Sequence, residues 1–339
     1  MGLSTYILRR LGLAVVVLLI VSVATFILVH AVPGDPLAAI MGDRAADNPE
    51  IRAQYEERWG LNDPLPVQYA TYLRNILQGD FGESISTRRP VADDLRQFIP
   101  ATIELTIAAM LFALGIGIPL GITAGIFHGR WPDHLSRFLA LIGTSVPVFW
   151  LGLLLSYLVW FKLGWLPRQG QLDTGMAQPN VVTGMITVDA LIAREWDVLR
   201  SAVRHVILPG IVLGSYAMGI IARMLRSSLV AALGDDYVRT ARAKGLRERH
   251  VVVGHALRNA LIPTVTVLGL TFASLLAGAV LTESIFAWPG IGRYAVRTAL
   301  GLDYPGLLGV TLFVAVAYIS FNLIVDILYG VLDPRIRVS

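Results

Sequence analysis

Side chains able to do chemistry are few in this sequence, and their spacing suits none of the common reactions. The histidines (His30, His128, His134, His205, His250 and His255) are scattered, with no HExxH run and no carboxylate-linked pair at metal-ligand spacing. Cysteine is absent, which removes thiol nucleophiles, thiolate metal sites and disulfide staples together. The only lysines are Lys162 and Lys244. Neither sits in a GxxxxGK(S/T) context, so the chain cannot build a phosphate-cradling loop of its own. No catalytic set, metal site or cofactor site is expected, and any ATP hydrolysis has to come from a partner.

Ionisable groups at membrane depth would be a second source of chemistry. The best candidates, Glu104, Arg223, Glu283 and Asp326, all lie at the ends of apolar runs. Ion-coupled carriers and voltage sensors place charges near the midplane, where such groups are costly and kept for function. Their absence argues against self-powered transport and against an intramembrane hydrolase, and leaves interfacial anchoring as the plain reading of the four. Small residues are the remaining candidates. Gly117, Gly121 and Gly125 fall at i, i+4 and i+8, on one helical face that lets another backbone approach closely. Such a face either lines a pore or a partner subunit, or packs inside the chain. Gly214, Ser215, Gly269, Ser274 and Gly278 mark further stretches along which a substrate path would run.

The most informative segment is residues 234–263, GDDYVRTARAKGLRERHVVVGHALRNALIP. Asp235 or Asp236 can cap a short helix over 237–244, with basic residues in its last turn. Gly245 suits the left-handed position that ends such a helix. A second helix, about 248–260, leads back to apolar sequence at Pro263. Cap, two turns, glycine and second helix make a compact exposed knob, suited to docking.

The elements that must carry these residues are membrane helices. The chain has 339 residues, 55% hydrophobic and 15% charged, with a mean hydropathy of +0.64. A soluble domain of this length needs more charge to cover its surface, so the bilayer is its natural solvent. Six runs free of Asp, Glu, Lys and Arg are long enough to span: 11–32, 105–127, 138–161, 206–222, 261–282 and 304–325. About 20 residues cross a typical hydrocarbon core. The fourth run is short and would reach the interface through His205 and Arg223. The first follows Arg9 and Arg10 but exceeds the roughly 7–15 apolar residues of a signal peptide, so it is read as a retained helix.

With the N-terminus inside, the inner segments hold 14 Lys+Arg against 6 Asp+Glu, and the outer ones 14 against 18. The short loops around the first three runs favour both termini inside. The outer segment 33–104 reads as short helices. One opens at Asn48-Pro49-Glu50 towards Trp59-Gly60, and another opens at Pro66 and runs through Tyr69, Tyr72 and Leu73 to Gly79. A further outer helix is expected over 188–203.

Segment 234–263 resembles the "EAA" loop of ABC importer permeases. Arg239-Thr240-Ala241 occupies the place of Glu-Ala-Ala, and Gly245 that of the closing glycine. The missing Glu, and a Pro263 five residues further from the glycine than the general pattern, are similar to the dipeptide/oligopeptide and nickel branch. Other fragments point the same way: Pro33-Gly34-Asp35-Pro36, Gly79-Asp80-Phe81-Gly82 with Ser84, and Pro100-Ala101-Thr102-Ile103-Glu104-Leu105. So do Ile221-Ala222-Arg223 with Arg226-Ser227-Ser228, Glu283-Ser284-Ile285-Phe286 with Pro289-Gly290-Ile291-Gly292, and Leu332-Asp333-Pro334-Arg335. The resemblance covers essentially the whole length, and PGDP after the first run is similar to the B-type subunit of the pair.

The resemblance implies an all-α integral membrane protein of the cell (inner) membrane, with six transmembrane helices, N-in and C-in. A first span (1–32) and an outer helical segment (33–100) would precede a type I importer permease core over 101–330, with its coupling loop at 227–262, and a tail over 331–339. It implies a homologous C-type permease, two ATP-binding subunits that hold ATP and Mg, and an extracytoplasmic substrate-binding protein, with the lipid bilayer as solvent and no nucleic acid. Asp236, Tyr237, Arg239, Thr240, Ala241, Arg242, Ala243, Lys244, Gly245 and Leu246 would form the coupling contact. Within it Arg239, Arg242 and Lys244 would sit at the ATPase groove, Ala241 and Ala243 would pack closely, and Gly245 would shape the turn. Peptide is the expected substrate class, with nickel or glutathione as alternatives. Outside the family, the competing classes are a stand-alone channel or carrier, a membrane enzyme, and a membrane scaffold.

Overall fold

A computed structural model describes residues 3–31, 49–50, 53 and 63–332. All named elements among the described residues are helical. Five helices are long and apolar enough to cross a membrane, or six if one bent pair counts as a single span. Helix α1 (Leu3–Ala31) carries the first apolar run. Helix α2 (Leu65–Leu77) starts with Pro66 in its first turn, where the missing N–H costs nothing, and the chain then turns at Gly79 with φ +81°. Its Tyr69 hydroxyl meets Ser22 of α1 at 2.8 Å, and Phe26 packs against the rings of Tyr69 and Tyr72. The helix expected between Asn48 and Gly60 lies outside the described residues.

Helix α3 (Val91–Ile126) is longer than the second apolar run and already helical before Pro100. The expected opening of a core at residue 101 therefore falls inside a continuous helix. Asp93 and Asp94 in its first turn complement the positive helix end. The third run does not form one straight span. Helices α4 (Trp131–Ser145) and α5 (Val148–Leu155), the latter continued by a π-helical turn Ser156–Lys162, bend by 104°. Pro147 stands at the break and holds Val146 extended at ψ 125°, as the residue before a proline prefers.

The expected helix over 188–203 is split. Helix α6 (Ile186–Ala193) ends at Arg194, which adopts φ +59°, and α7 (Trp196–Gly234) starts anew. Helix α7 corrects the fourth run, which looked short because only its charge-free middle was counted. Its 39 residues make about 58 Å at 1.5 Å per residue, well beyond a hydrocarbon core of about 30 Å. It is the axis of the molecule: 78% of its most apolar window is buried, against 39% for α3 and 11% for α1.

Helix α8 (Asp236–Ala243) follows, then a turn Glu248–His250, a π-helical stretch Val251–Ala256 and helix α9 (Leu257–Gly278). The boundary expected at Pro263 is absent, because Pro263 sits within α9. The fifth run also ends earlier than expected: α9 stops at Gly278 and α10 (Val280–Ile285) begins after Ala279. Helices α11 (Ile291–Leu300) and α12 (Tyr304–Leu332) complete the fold, and α12 packs against α9 and α1.

The main core lies between α3, α7 and α9. Leu105, Ala109, Ala113, Leu213, Ala217, Ile221 and Leu275 meet there, with Trp288 from the loop after α10. Trp288 donates its indole N–H to the Ala101 carbonyl at 2.8 Å, so this large ring is buried without an orphaned donor.

Candidate coupling surface

The knob is built from both sides. Asp235 takes the N-cap position of α8, and its carbonyl accepts from the Val238 and Arg239 amides at 3.1 and 3.2 Å. The expected side-chain cap is not made, so Asp235 shapes this end through its backbone. At the other end Gly245 adopts φ +75°. Its amide donates to the Arg242 carbonyl at 2.9 Å, and the Leu246 amide to that of Ala241 at 3.4 Å. This crossed pair closes a helix that ends on a left-handed residue.

Only one stripe of α8 reaches the interior. Val238 and Ala241, three residues apart, are buried against Leu225, Leu229, Ala232, Val251, Ala256 and Ala260. Asp236, Tyr237, Arg239, Thr240, Arg242, Ala243, Lys244, Gly245 and Leu246 face outward. The structure thus divides the set expected to meet a partner: Ala241 packs into its own chain, while the other nine are free to be touched. Arg242 reaches over Gly245 to Glu248, with Nη2 2.7 Å from Oε1 and Nε 3.2 Å from Oε2, and ties the two limbs of the knob. The Arg239–Asp236 pair at 3.2 Å is fully exposed and contributes little to stability.

Sequence reasoning missed the anchor above the knob. Asp133 of α4, with its side chain 1% exposed, accepts a two-pronged contact from Arg226 of α7: Nε to Oδ1 at 2.7 Å and Nη2 to Oδ2 at 2.9 Å. The Gly129 amide fills a further site on Oδ2 at 2.9 Å, and His128 lies 3.0 Å from Arg226 Nη2. One buried carboxylate thereby fixes the α3–α4 turn to α7 ahead of α8. Asp133 gave no periodic signal, since a lone acid at a helix start reads equally well as a cap.

The small residues of α3 and α7 pack inside the chain. A Cβ on Gly117 would meet the Met218 carbonyl and Ile221; on Gly121, Leu225 and the Ala222 carbonyl; on Gly125, Leu229. The stripe thus forms a close seam between α3 and α7. Gly214 sits against the Ala109 carbonyl, and Ser215 against Gly143 of α4, with its hydroxyl returned to the Ile211 carbonyl at 2.6 Å. On α9, Gly269 is half-buried and Ser274 exposed; the surroundings of Gly278 lie outside the described ones.

Glu104 and Glu283 are more than interfacial anchors. Glu104 accepts from the Thr187 amide at 2.7 Å and from Gln171 at 3.1 Å, and so ties the segment before α7 to α3. Glu283 accepts from the Thr102 hydroxyl at 2.6 Å and the Arg293 amide at 2.8 Å. Arg223 is exposed but lies inside α7 and not at its end, and the side chain of Asp326 lies outside the described ones. The turn before α12 is clasped to the segment before α3: Asp303 accepts from the Ser84 and Ser86 hydroxyls, the Ser86 amide and the Gly306 amide. Burial alone would push the Asp303 carboxyl up, but these donors outweigh it and hold it below the ordinary aspartate value.

No ionisable cluster of three His, Cys, Asp or Glu suited to a metal occurs among the described residues. What the arrangement offers is an outward-facing knob packed against the helix with the most buried apolar middle. A family model described as "Binding-protein-dependent transport system inner membrane component" matches residues 117–338, and its N-terminal companion matches residues 3–106. A probable D,D-dipeptide transport system permease of Escherichia coli is 47% identical over 316 residues, 93% of this chain and 92% of that protein. A di/tripeptide transport system permease of Pseudomonas aeruginosa is 46% identical over 333 residues, 98% of each chain. A glutathione transport system permease of Salmonella paratyphi A is 40% identical over 332 residues, again 98% of each.

Proposed function

This chain belongs to the family of binding-protein-dependent transport system inner-membrane components, and from that premise we propose that it forms half of the pore of an ATP-driven peptide importer. It is a multi-pass inner-membrane subunit and not an enzyme. Membership implies ATPase and substrate-binding partners. We assign the second half of the pore to a homologous C-type permease, ATP and Mg to two partner ATPases, and delivery to an extracytoplasmic binding protein. Both termini then lie in the cytoplasm, on the side of α8.

The observation that carries the reading is the knob, whose nine outward residues directly follow α7, the helix whose apolar middle is the most buried of the spans. A push on Arg239, Arg242 or Lys244 passes through Val238 and Ala241 into Leu225 and Leu229 of α7, and from there into α3 through the glycine seam. Closely packed interiors transmit such displacements because they deform little. ATP-driven closure of the ATPases draws two knobs together and turns the pore outward; hydrolysis resets it. With Gly117, Gly121, Gly125, Gly214 and Ser215 used internally, the path between the two permeases runs along other faces, Ser274 of α9 among them. Peptide is favoured over glutathione alone because dipeptide permeases are the more similar relatives.

The test is accumulation of a labelled dipeptide in proteoliposomes holding both permeases and the ATPases. Uptake that requires ATP and the binding protein supports the proposal. ATP-independent equilibration would replace it with a channel or carrier.

A further inference from the structure

A second site lies beside the Asp133 anchor. An open cavity of about 540 Å³ is lined by His134, Arg137, Phe138 and Leu141 of α4 and by Arg223 and Arg226 of α7. Its size falls within the roughly 300–1,000 Å³ typical of small-ligand sites. The charge there is unbalanced. Asp133 is the one carboxylate in the group, and its oxygens are taken by the Arg226 fork and the Gly129 amide. Arg137 reaches it only at 3.8 Å and is half-exposed, and Arg223 pairs with no acidic side chain among the described residues. Arg137 and Arg223 therefore face one opening whose single carboxylate is already bonded, and His134 Nδ1 accepts from Arg137 Nη2 at 3.0 Å.

The walls identify what kind of anion fits. Phe138 and Leu141 are 59% and 54% exposed, and they continue an apolar outer face of α4 that includes Trp131, Leu135 and Ile142. Cations above, hydrocarbon below and an aromatic at the helix start match the profile of a lipid at the membrane interface. A zwitterionic peptide fits less well, since the only carboxylate that could hold its ammonium group is buried behind Arg226. We propose that this cavity binds the phosphate of an anionic phospholipid headgroup, with Arg137 and Arg223 as its ligands and Phe138 and Leu141 against the chains. The site goes beyond the transport reading and rests on it only for the side of the membrane. It lies on the α8 side, where it sets a lipid against the helix that carries the knob.

The test uses the assembled transporter in nanodiscs of phosphatidylcholine with a minor fraction of phosphatidylglycerol. Lipid retained through detergent purification is quantified by mass spectrometry. Wild type should retain phosphatidylglycerol in excess of its bulk fraction, and R137Q/R223Q should lower that excess about tenfold. R200Q, at the far end of α7, should keep it, which separates a site from general attraction. Both altered arginines are exposed and the Arg226 fork to Asp133 is left in place, and folding is checked by the elution profile. Equal retention by R137Q/R223Q would overturn the proposal. So would displacement of the lipid by inorganic phosphate, which would assign the cavity to a free anion, or by a dipeptide, which would make it part of the substrate path. Uptake is not the readout, so failure here is distinct from failure of the transport assignment.

Discussion

At the scale of single residues, Gly245 separates coupling from folding. Its φ of +75° belongs to the left-handed region, and no heavy atom lies within 4 Å of where a Cβ would stand. A side chain therefore meets no clash, only the cost of that backbone region, about 1–2 kcal/mol. The strain is relieved by letting the turn open, which moves the Arg242–Glu248 tie and the outward face of α8. For G245V we expect normal membrane insertion and a marked loss of ATP-dependent uptake. Wild-type uptake by G245V would remove the knob from the mechanism. The glycines of α3 differ in kind: Gly121 stands where a Cβ would lie 2.9 Å from that of Leu225, so substitution there disturbs packing before it disturbs coupling. The sequence presented both kinds as glycine at a regular place. Gly245 was legible because a short polar helix must end on such a residue. The function of the α3 stripe was not, because close approach looks the same whether the neighbour is a partner or the chain itself.

At the scale of elements, the outer clasp is where pH should act. Asp303 joins the turn before α12 to residues 84–86, and its carboxyl is held below its ordinary value. A carboxyl depressed in the folded state contributes stability above its unfolded pKa and loses it as pH falls through the folded value. Amide protection at Ser86 should therefore persist at about pH 5 and fall only below the ordinary aspartate value of about 3.9. D303N should lack that protection throughout. Protection in D303N equal to wild type would show that the clasp is held by other contacts. Elements with a strong local cause were legible: α2 from its proline and final glycine, and α8 from its polar composition and Gly245. The others were decided by long-range contacts. Helix α7 runs past both ends of its apolar middle, where His205 donates to the Ser201 carbonyl and Arg226 pairs with Asp133. The third apolar run bends at Pro147 although its hydropathy is uninterrupted, since composition says nothing about direction.

At the scale of the whole molecule, hydropathy establishes residence in the bilayer, and the polar segment between α7 and α9 says how force enters. The partition of that segment came only from packing, which turned Val238 and Ala241 inward and left the rest for a partner. This gives the most direct test of the central claim. The chain has no cysteine, so T240C carries its only thiol, on the outward face of α8, and V238C carries its only thiol on the buried one. With a benzophenone maleimide attached in the assembled transporter, T240C should photo-cross-link to the ATPase subunit, with a yield that changes when ATP is added. V238C should label poorly and give no such adduct. A T240C probe that never reaches the ATPase, in a complex that still takes up dipeptide, would contradict the account.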